Sequence, residues 1–464
     1  MVRKILQNIL ITSVSSEGKG VGRYENKVVF VDKAVPGDVV DVAVTKSKAS
    51  FEEGRISAIS AESASRVSPV CTHFGTCGGC SWQHIAYTAQ LQFKHSIVQN
   101  TFERISKIPL PEIPEVLGSE KVYAYRNKLD YTFSARRWLS DTEMLNKEEC
   151  EHRGLGFHLP GMFDKVLDIY ECHHQPALHN EIRNAIRNYA FANNLSFFHL
   201  KKQEGLLRNL IVRCTSTGEW MVLLSFFQND EAAINGILEF LHAKFPQINA
   251  LLYVVNTKKN ETIFDQDIKT AWGKDCIYEV LGNKTFKIGP KSFFQTNSYQ
   301  AKQLYDVIKE FCGANGTEVL YDLYCGVGSI GIYIADSVAQ VIGIEEIPAA
   351  IADAEENARL NKLRNIHFYA GDVRKLFNEV LVQLHGRPDI IITDPPRAGM
   401  HEEAVAFLFQ SDAEKIVYVS CNVATQARDL ALLHAKYDVV KMQPVDMFPH
   451  TAHIENVALL VKRM

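Results

Sequence analysis

The segment VLYDLYCGVGSIGIYIADSVAQVIGIEE, residues 319–346, reads as a strand, a glycine-rich turn, a helix and a second strand. Asp322 sits in the first apolar run, and Gly326, Gly328 and Gly331 clear the turn of side-chain bulk so that a ligand can lie against the backbone. Such a turn also serves plain strand-to-helix packing. Glu345 gives it a second meaning, because it ends the next strand about 20 residues on, where a carboxylate accepts hydrogen bonds from ribose hydroxyls. The pairing points to an adenosine-containing cofactor. A nicotinamide dinucleotide brings a pyrophosphate for the turn to cradle, whereas S-adenosylmethionine has none. The DxxCGxG form, Asp372 closing a third strand in AGD, and Asp394-Pro395-Pro396 closing a fourth together favour S-adenosylmethionine.

Toward the C-terminus the same rhythm continues. IHFYAGD, DIIITDPP and KIVYVSC are strand-like and are separated by helical stretches such as AAIADAEENARLNKL, which predicts an open parallel sheet covered by helices on both faces. DVVKMQPVDMF and NVALLVKR are joined by too short a connection for a crossover, so the last strand should be antiparallel. The fifth strand ends in Val419-Ser420-Cys421-Asn422 and delivers a thiol to the carboxyl edge of the sheet, where open α/β sheets bind ligands. A thiol there can act as a nucleophile, although a free cysteine is more often a small buried hydrophobe. Asp394-Pro395-Pro396 is similar to the motif of amino-methylating enzymes, but those follow it with an aromatic residue and here Arg397 follows.

Five segments in order, FFQTN (293–297), DLYCGVGSIG (322–331), DPPRAG (394–399), YVSCN (418–422) and DMFPHTAHIE (446–455), make residues 290–464 resemble the uracil-5-methyltransferases of structured RNA. The whole chain is most similar to the branch with an N-terminal TRAM barrel and an iron-sulfur cluster, typified by bacterial 23S rRNA (uracil-5-)-methyltransferases. The tRNA branch usually lacks both features. The resemblance implies methyl transfer from S-adenosylmethionine to carbon 5 of a uridine flipped out of its helix, with Cys421 adding to carbon 6 and Glu455 removing the carbon 5 proton. It also implies that Gln295, Tyr324, Glu345, Asp372 and Asp394 line the cofactor. Ser329 stands where many relatives carry Asn and is left out of that set. A noncatalytic RNA-binding or assembly factor is the rival from another class, and the presence of Cys421 and Glu455 counts against it.

N-terminal to this region, residues 1–60 carry short alternating segments broken by EGKGVGR and PGD, the pattern of a small antiparallel β-barrel. Cys71, Cys77 and Cys80 follow in CTHFGTCGGC, three thiols on one glycine-rich turn that want a fourth. Family position and the flanking histidines point to Cys172 in IYECHHQ, with Cys150 as second choice, for a [4Fe-4S] cluster. Spacing alone suits tetrahedral zinc equally well. HIAYTAQLQFKHSIVQNTFERIS has helical periodicity until Pro109, Pro111 and Pro114 end it. Strand and helix patterns then mix to about residue 285, the signature of an α+β domain. Lys121, Arg126, Lys128, Arg136 and Arg137 interleave with aromatics over 119–137, suited either to RNA or to a solvated strand pair; Arg126 is the candidate RNA contact.

The expected division is therefore a TRAM-like barrel (1–60), a central α+β domain with the cysteine site (61–285) and a Rossmann-like methyltransferase domain (286–464). Composition agrees with this: 464 residues, 46% hydrophobic and 22% charged, are too many for one core and too apolar for disorder. A formal charge of −4 supplies no global attraction for RNA, so binding must come from local patches. No apolar run approaches membrane-spanning length, no signal peptide is evident, and ten unevenly spaced cysteines do not make a disulfide framework. A cytoplasmic monomer acting on RNA is expected.

Overall fold

The computed structural model describes residues 4–463. The chain opens with a closed five-stranded barrel: β1 (Ile5–Val14), β2 (Gly20–Tyr24), β3 (Lys27–Asp32), β4 (Val39–Ser47) and β5 (Phe51–Ala61), in the order β1-β2-β3-β5-β4. Leu6, Ile9, Ile11, Val29, Val31, Val40 and Val42 fill it from alternating strand positions, with one shift of register between Leu6 and Ile9. The sequence pattern suggested antiparallel pairing throughout, but β3 and β5 run parallel. The reason is parity, since five strands in a ring cannot alternate direction at every junction.

A seven-stranded mixed sheet follows, built from β6 (Lys128–Ser134), β7 (Gly154–Leu159), β8 (Met162–Asp168), β9 (Leu207–Cys214), β10 (Trp220–Phe226), β11 (Ile248–Val255) and β12 (Lys269–Gly273), in the order β12-β11-β10-β9-β6-β7-β8. Helix Glu231–Lys244 is the crossover between the parallel strands β10 and β11, capped by the Asp230 carboxylate on the Ala233 amide. A hairpin, β13 (Ile277–Leu281) and β14 (Lys284–Ile288), then turns through Gly282 at φ +59°. The expected boundary at 285/286 falls inside β14, and Ile277, Leu281, Phe286 and Ile288 all enter the core of the sheet that follows. The hairpin escaped the sequence pattern because its alternating residues are covered on one face by a distant part of the chain.

The C-terminal sheet contains β15 (Val319–Leu323), β16 (Gln340–Glu345), β17 (Ile366–Ala370), β18 (Ile390–Thr393), β19 (Lys415–Ser420), β20 (Tyr437–Val445) and β21 (Glu455–Lys462), in the order β17-β16-β15-β18-β19-β21-β20. The first five are parallel and β21 is antiparallel to both its neighbours. Ile390–Thr393 is buried at every position, as a strand with helices on both faces must be, while the edge strand β17 is half-exposed. One face shares its core with β10 and β11, through Met221, Leu223 and Leu252, so the two large sheets are packed together. The other face takes Val98 and Phe102 from helix Tyr87–Ile105. Among the described residues no helix is long and apolar enough to cross a membrane.

Candidate active site

Strand register brings the expected cofactor residues to one edge. Leu323 pairs with both Ile344 and Thr393, and Glu345 pairs with Ala370, so Tyr324, Glu345, Asp372 and Asp394 all leave the sheet at its carboxyl side. Tyr324 takes φ +63°, a left-handed conformation unusual for a bulky residue and typical of functional turns. Gly326 and Gly328 follow at φ +55° and +75° before helix Ser329–Ile334 begins. A Cβ on Gly328 would lie 2.7 Å from the Phe368 ring, whereas one on Gly326 would meet nothing within 4 Å. The first glycine thus faces open space and the second faces packing.

Glu345 braces the turn, accepting from the Gly326 amide at 3.1 Å and the Ile347 amide at 3.0 Å. Asp322 accepts from the Gly331 amide at 2.9 Å, while its other carboxyl oxygen is buried without a partner. Burial pushes the Asp322 and Asp394 carboxyls each up to about 7. Asp372 caps helix Val373–Leu376 through the Arg374 amide at 2.9 Å, and the Arg374 side chain pairs with it and holds it down at about 2. Gln295 is half-buried in the segment that precedes helix Ser298–Cys312; Asn127 donates to its carbonyl at 3.0 Å, which ties the central sheet to this edge. Ser329 shares a 2.8 Å hydrogen bond with the Tyr305 hydroxyl.

Cys421 and Glu455 meet across β19 and β21. Ser420 pairs with Asn456, so the residue after one strand and the residue opening the other stand opposite each other. Burial, then the Glu455 and Asp394 carboxyls, push the Cys421 thiol up to about 11, while the Arg397 guanidinium pulls it the other way. Glu455 is almost fully buried, and burial followed by the Asp394 charge holds its carboxyl well above the ordinary range. Thiol, buried carboxyl, second carboxyl and guanidinium therefore form one electrostatically coupled group. Arg397 was noted in the sequence without being assigned to the site; Asn422 Nδ2, one residue beyond the thiol, donates to its carbonyl at 2.8 Å.

The other predicted cluster lies along a cavity of about 1050 Å³. Cys71, Cys77, Cys80 and Cys172 all line it, with Arg126, His174 and Phe293, whereas Cys150 does not. Gly78, at φ +76°, lets the turn pass Pro160, whose Cγ a Cβ would approach to 2.2 Å. All four cysteines are free, and burial raises their thiols, Cys80 to about 12 and Cys172 to about 11; neighbouring cysteines add to this at Cys77, Cys80 and Cys172, and the Glu171 carboxylate at Cys71. Contrary to the expected closed ligand set, among the described residues no group of three or more His, Cys, Asp or Glu side chains is placed to hold a metal ion. His174, which in the sequence only flanked Cys172 and was given no role of its own, bonds Cys80 Sγ at 2.6 Å. Arg126 has its guanidinium 5.8 Å from the Phe448 ring and its Nε buried without a partner.

The sequence model of the tRNA (uracil-5-)-methyltransferase family matches residues 215–463, and that of the TRAM domain matches residues 5–56. A protein of Bacteroides thetaiotaomicron described as an RNA methyltransferase is 47% identical over 97% of this chain and all of its own length. One of Porphyromonas gingivalis with the same description is 49% identical, covering 97% and 99%. The solved structure of Pyrococcus abyssi tRNA (uracil-54, C5)-methyltransferase with S-adenosyl-L-homocysteine superimposes with a TM-score of 0.75 at 29% identity, covering 98% of this chain and 100% of that one. The chain therefore belongs to the family of S-adenosylmethionine-dependent RNA uracil-5-methyltransferases and carries a TRAM domain at its N-terminal end.

Proposed function

We propose that the protein methylates carbon 5 of a specific uridine in 23S rRNA, in the cytoplasm, through a covalent adduct on Cys421. The observation that carries this reading is the placement of Cys421 opposite Glu455 at the carboxyl edge, beside Asp394. S-adenosylmethionine, when bound, supplies an electrophilic methyl group. The glycine turn and the half-satisfied Asp322 carboxyl fit such a molecule, with Gln295, Tyr324, Glu345, Asp372 and Asp394 around it.

Carbon 5 of uracil is a poor nucleophile. Cys421, as the thiolate, adds to carbon 6, and the electron pair displaced toward carbon 5 and oxygen 4 makes the ring nucleophilic at carbon 5. Arg397 favours the thiolate by its charge. After methyl transfer Glu455, ionised, takes the carbon 5 proton; that bond's electrons restore the carbon 5–carbon 6 double bond, and the carbon 6–sulfur pair leaves with Cys421. A buried carboxyl with a raised pKa is well matched to receive a proton from carbon.

Arg126 is assigned to RNA, and Cys71, Cys77, Cys80 and Cys172 to a [4Fe-4S] cluster in a central domain between barrel and methyltransferase. Four free thiols along one cavity support the donor set. A second reading, a tRNA substrate, is favoured by the Pyrococcus structure, whose own substrate is tRNA. Incubating the protein and S-adenosylmethionine with 5-fluorouridine transcripts of 23S rRNA and tRNA separates the two, because fluorine on carbon 5 cannot leave as a proton and the adduct is trapped. A Cys421-dependent complex with rRNA alone is expected. Trapping on tRNA alone would overturn the substrate, and no adduct on either would overturn the chemistry.

A further inference from the structure

Helix Tyr87–Ile105 packs on the methyltransferase sheet through Val98 and Phe102, yet three of its inward positions are polar: Tyr87, Gln90 and Lys94. Spaced i, i+3 and i+7, they share one face of the helix. That face meets the loop 446–454, the connection that delivers Glu455 to its strand. Lys94 Nζ donates to Asp446 Oδ1 at 2.6 Å and to the Phe448 carbonyl at 3.1 Å, and both members of the ion pair are 0% exposed. The Tyr87 hydroxyl donates to Asp446 Oδ2 at 2.9 Å and accepts from the Ser119 amide at 2.6 Å. Gln90 Oε1 accepts from the His450 amide at 2.9 Å, and its Nε2 donates to the carbonyls of Trp82 and Ile85 at 3.1 and 2.8 Å.

The loop is thus gripped at 446, 448 and 450 by one rigid element. His450 sits at φ +63°, a strained conformation, and its carbonyl takes the amides of Ser81 and Trp82 at 3.0 and 2.9 Å. A fully buried ion pair stabilises a fold little more than well-packed apolar side chains would, so its presence here asks for another reason. The geometry of the grip supplies one, because proton abstraction fails when the base strays from hydrogen-bond reach.

We propose that Tyr87, Gln90 and Lys94, acting through Asp446 and His450, are positioning residues that set the 446–454 loop so that Glu455 reaches the carbon 5 proton. The inference rests on Glu455 being the base. It predicts a defect confined to the last step, since attack by Cys421 and methyl transfer precede it. The test uses the full-length protein with two readouts: trapping on 5-fluorouridine RNA, which does not need the base, and release of methylated RNA from the adduct on ordinary RNA. Lys94→Met should trap at a rate close to the parent enzyme's and release about tenfold more slowly, so that a methylated adduct accumulates. Tyr87→Phe, which removes one hydroxyl and spares the ion pair, should show the same pattern at about threefold. Lys94→Met added to Glu455→Gln should slow release no further. Parent-like release in both single variants, with slow release in Glu455→Gln, would overturn the positioning role alone. So would an equal fall in trapping and release in Tyr87→Phe. Parent-like release in Glu455→Gln itself would overturn the base assignment and this inference with it.

Discussion

Replacing Gly326 and Gly328 separately with alanine divides the glycine turn's service to the fold from its service to the ligand. Both residues have positive φ, so either substitution costs roughly 1–2 kcal/mol in the backbone alone. At Gly328 the new methyl would lie 2.7 and 2.9 Å from two atoms of the Phe368 ring and 3.1 Å from Ala354 Cβ. Overpacking of that kind adds roughly 1–3 kcal/mol, which brings Gly328→Ala to about 2–5 kcal/mol. At Gly326 the methyl meets nothing within 4 Å, so stability should fall by the backbone cost only. It would instead project into the space above the turn, where the cofactor's close approach is inferred, and lower affinity by about tenfold or more, at about 1.4 kcal/mol per decade. Thermal unfolding of the free protein and calorimetric titration with S-adenosylhomocysteine measure the two effects. Gly328→Ala should show the larger loss of melting temperature, and Gly326→Ala a larger loss of affinity than its melting temperature suggests. Parent-like affinity in Gly326→Ala would refute the placement of the cofactor, and a parent-like melting temperature in Gly328→Ala would refute the packing argument.

Cys421→Ala should bind S-adenosylhomocysteine normally and form no adduct with 5-fluorouridine RNA; methylation at the parent rate would sink the nucleophile assignment. Because burial and its acidic neighbours push the Cys421 thiol up to about 11, the trapping rate should climb as pH rises from 7 to 10, and a flat profile would show that the thiol is already ionised. Asp322, raised to about 7 from an ordinary 3.8, contributes stability that is full below about pH 4 and is lost as pH rises through 7. Asp322→Asn should therefore melt above the parent at pH 8 by a margin that shrinks toward pH 5; a margin independent of pH would contradict this. Cys172→Ser should abolish iron binding and visible absorption in anaerobically reconstituted protein while Cys150→Ser leaves both, and the reverse would transfer the fourth ligand to Cys150.

The architecture of the C-terminal half was legible because its signals are local. A parallel strand buried on both faces is a continuous apolar run, as in Ile390–Thr393, and the residue that ends it occupies the carboxyl edge whatever else the fold does. Hence Asp394 and Cys421 could be placed at the edge from sequence, as could Glu345 and Asp372. The helix ending before its proline cluster, and the antiparallel last strand, follow from equally local chemistry.

Other features depend on residues far apart in the chain. Hairpin 277–288 is apolar on one face only because the methyltransferase core covers it. The parallel β3–β5 junction is imposed by ring closure, which no stretch of sequence encodes. Arg397 and His174 acquire partners through folding, against Cys421 and Cys80. Lys94 is the clearest case: within HIAYTAQLQFKHSIVQ it is one polar residue in a helical pattern, with nothing to separate a solvated lysine from a buried one. Asp446, 352 positions away, decides between them, because an ammonium group can remain in the core only where the tertiary structure brings a carboxylate to meet it.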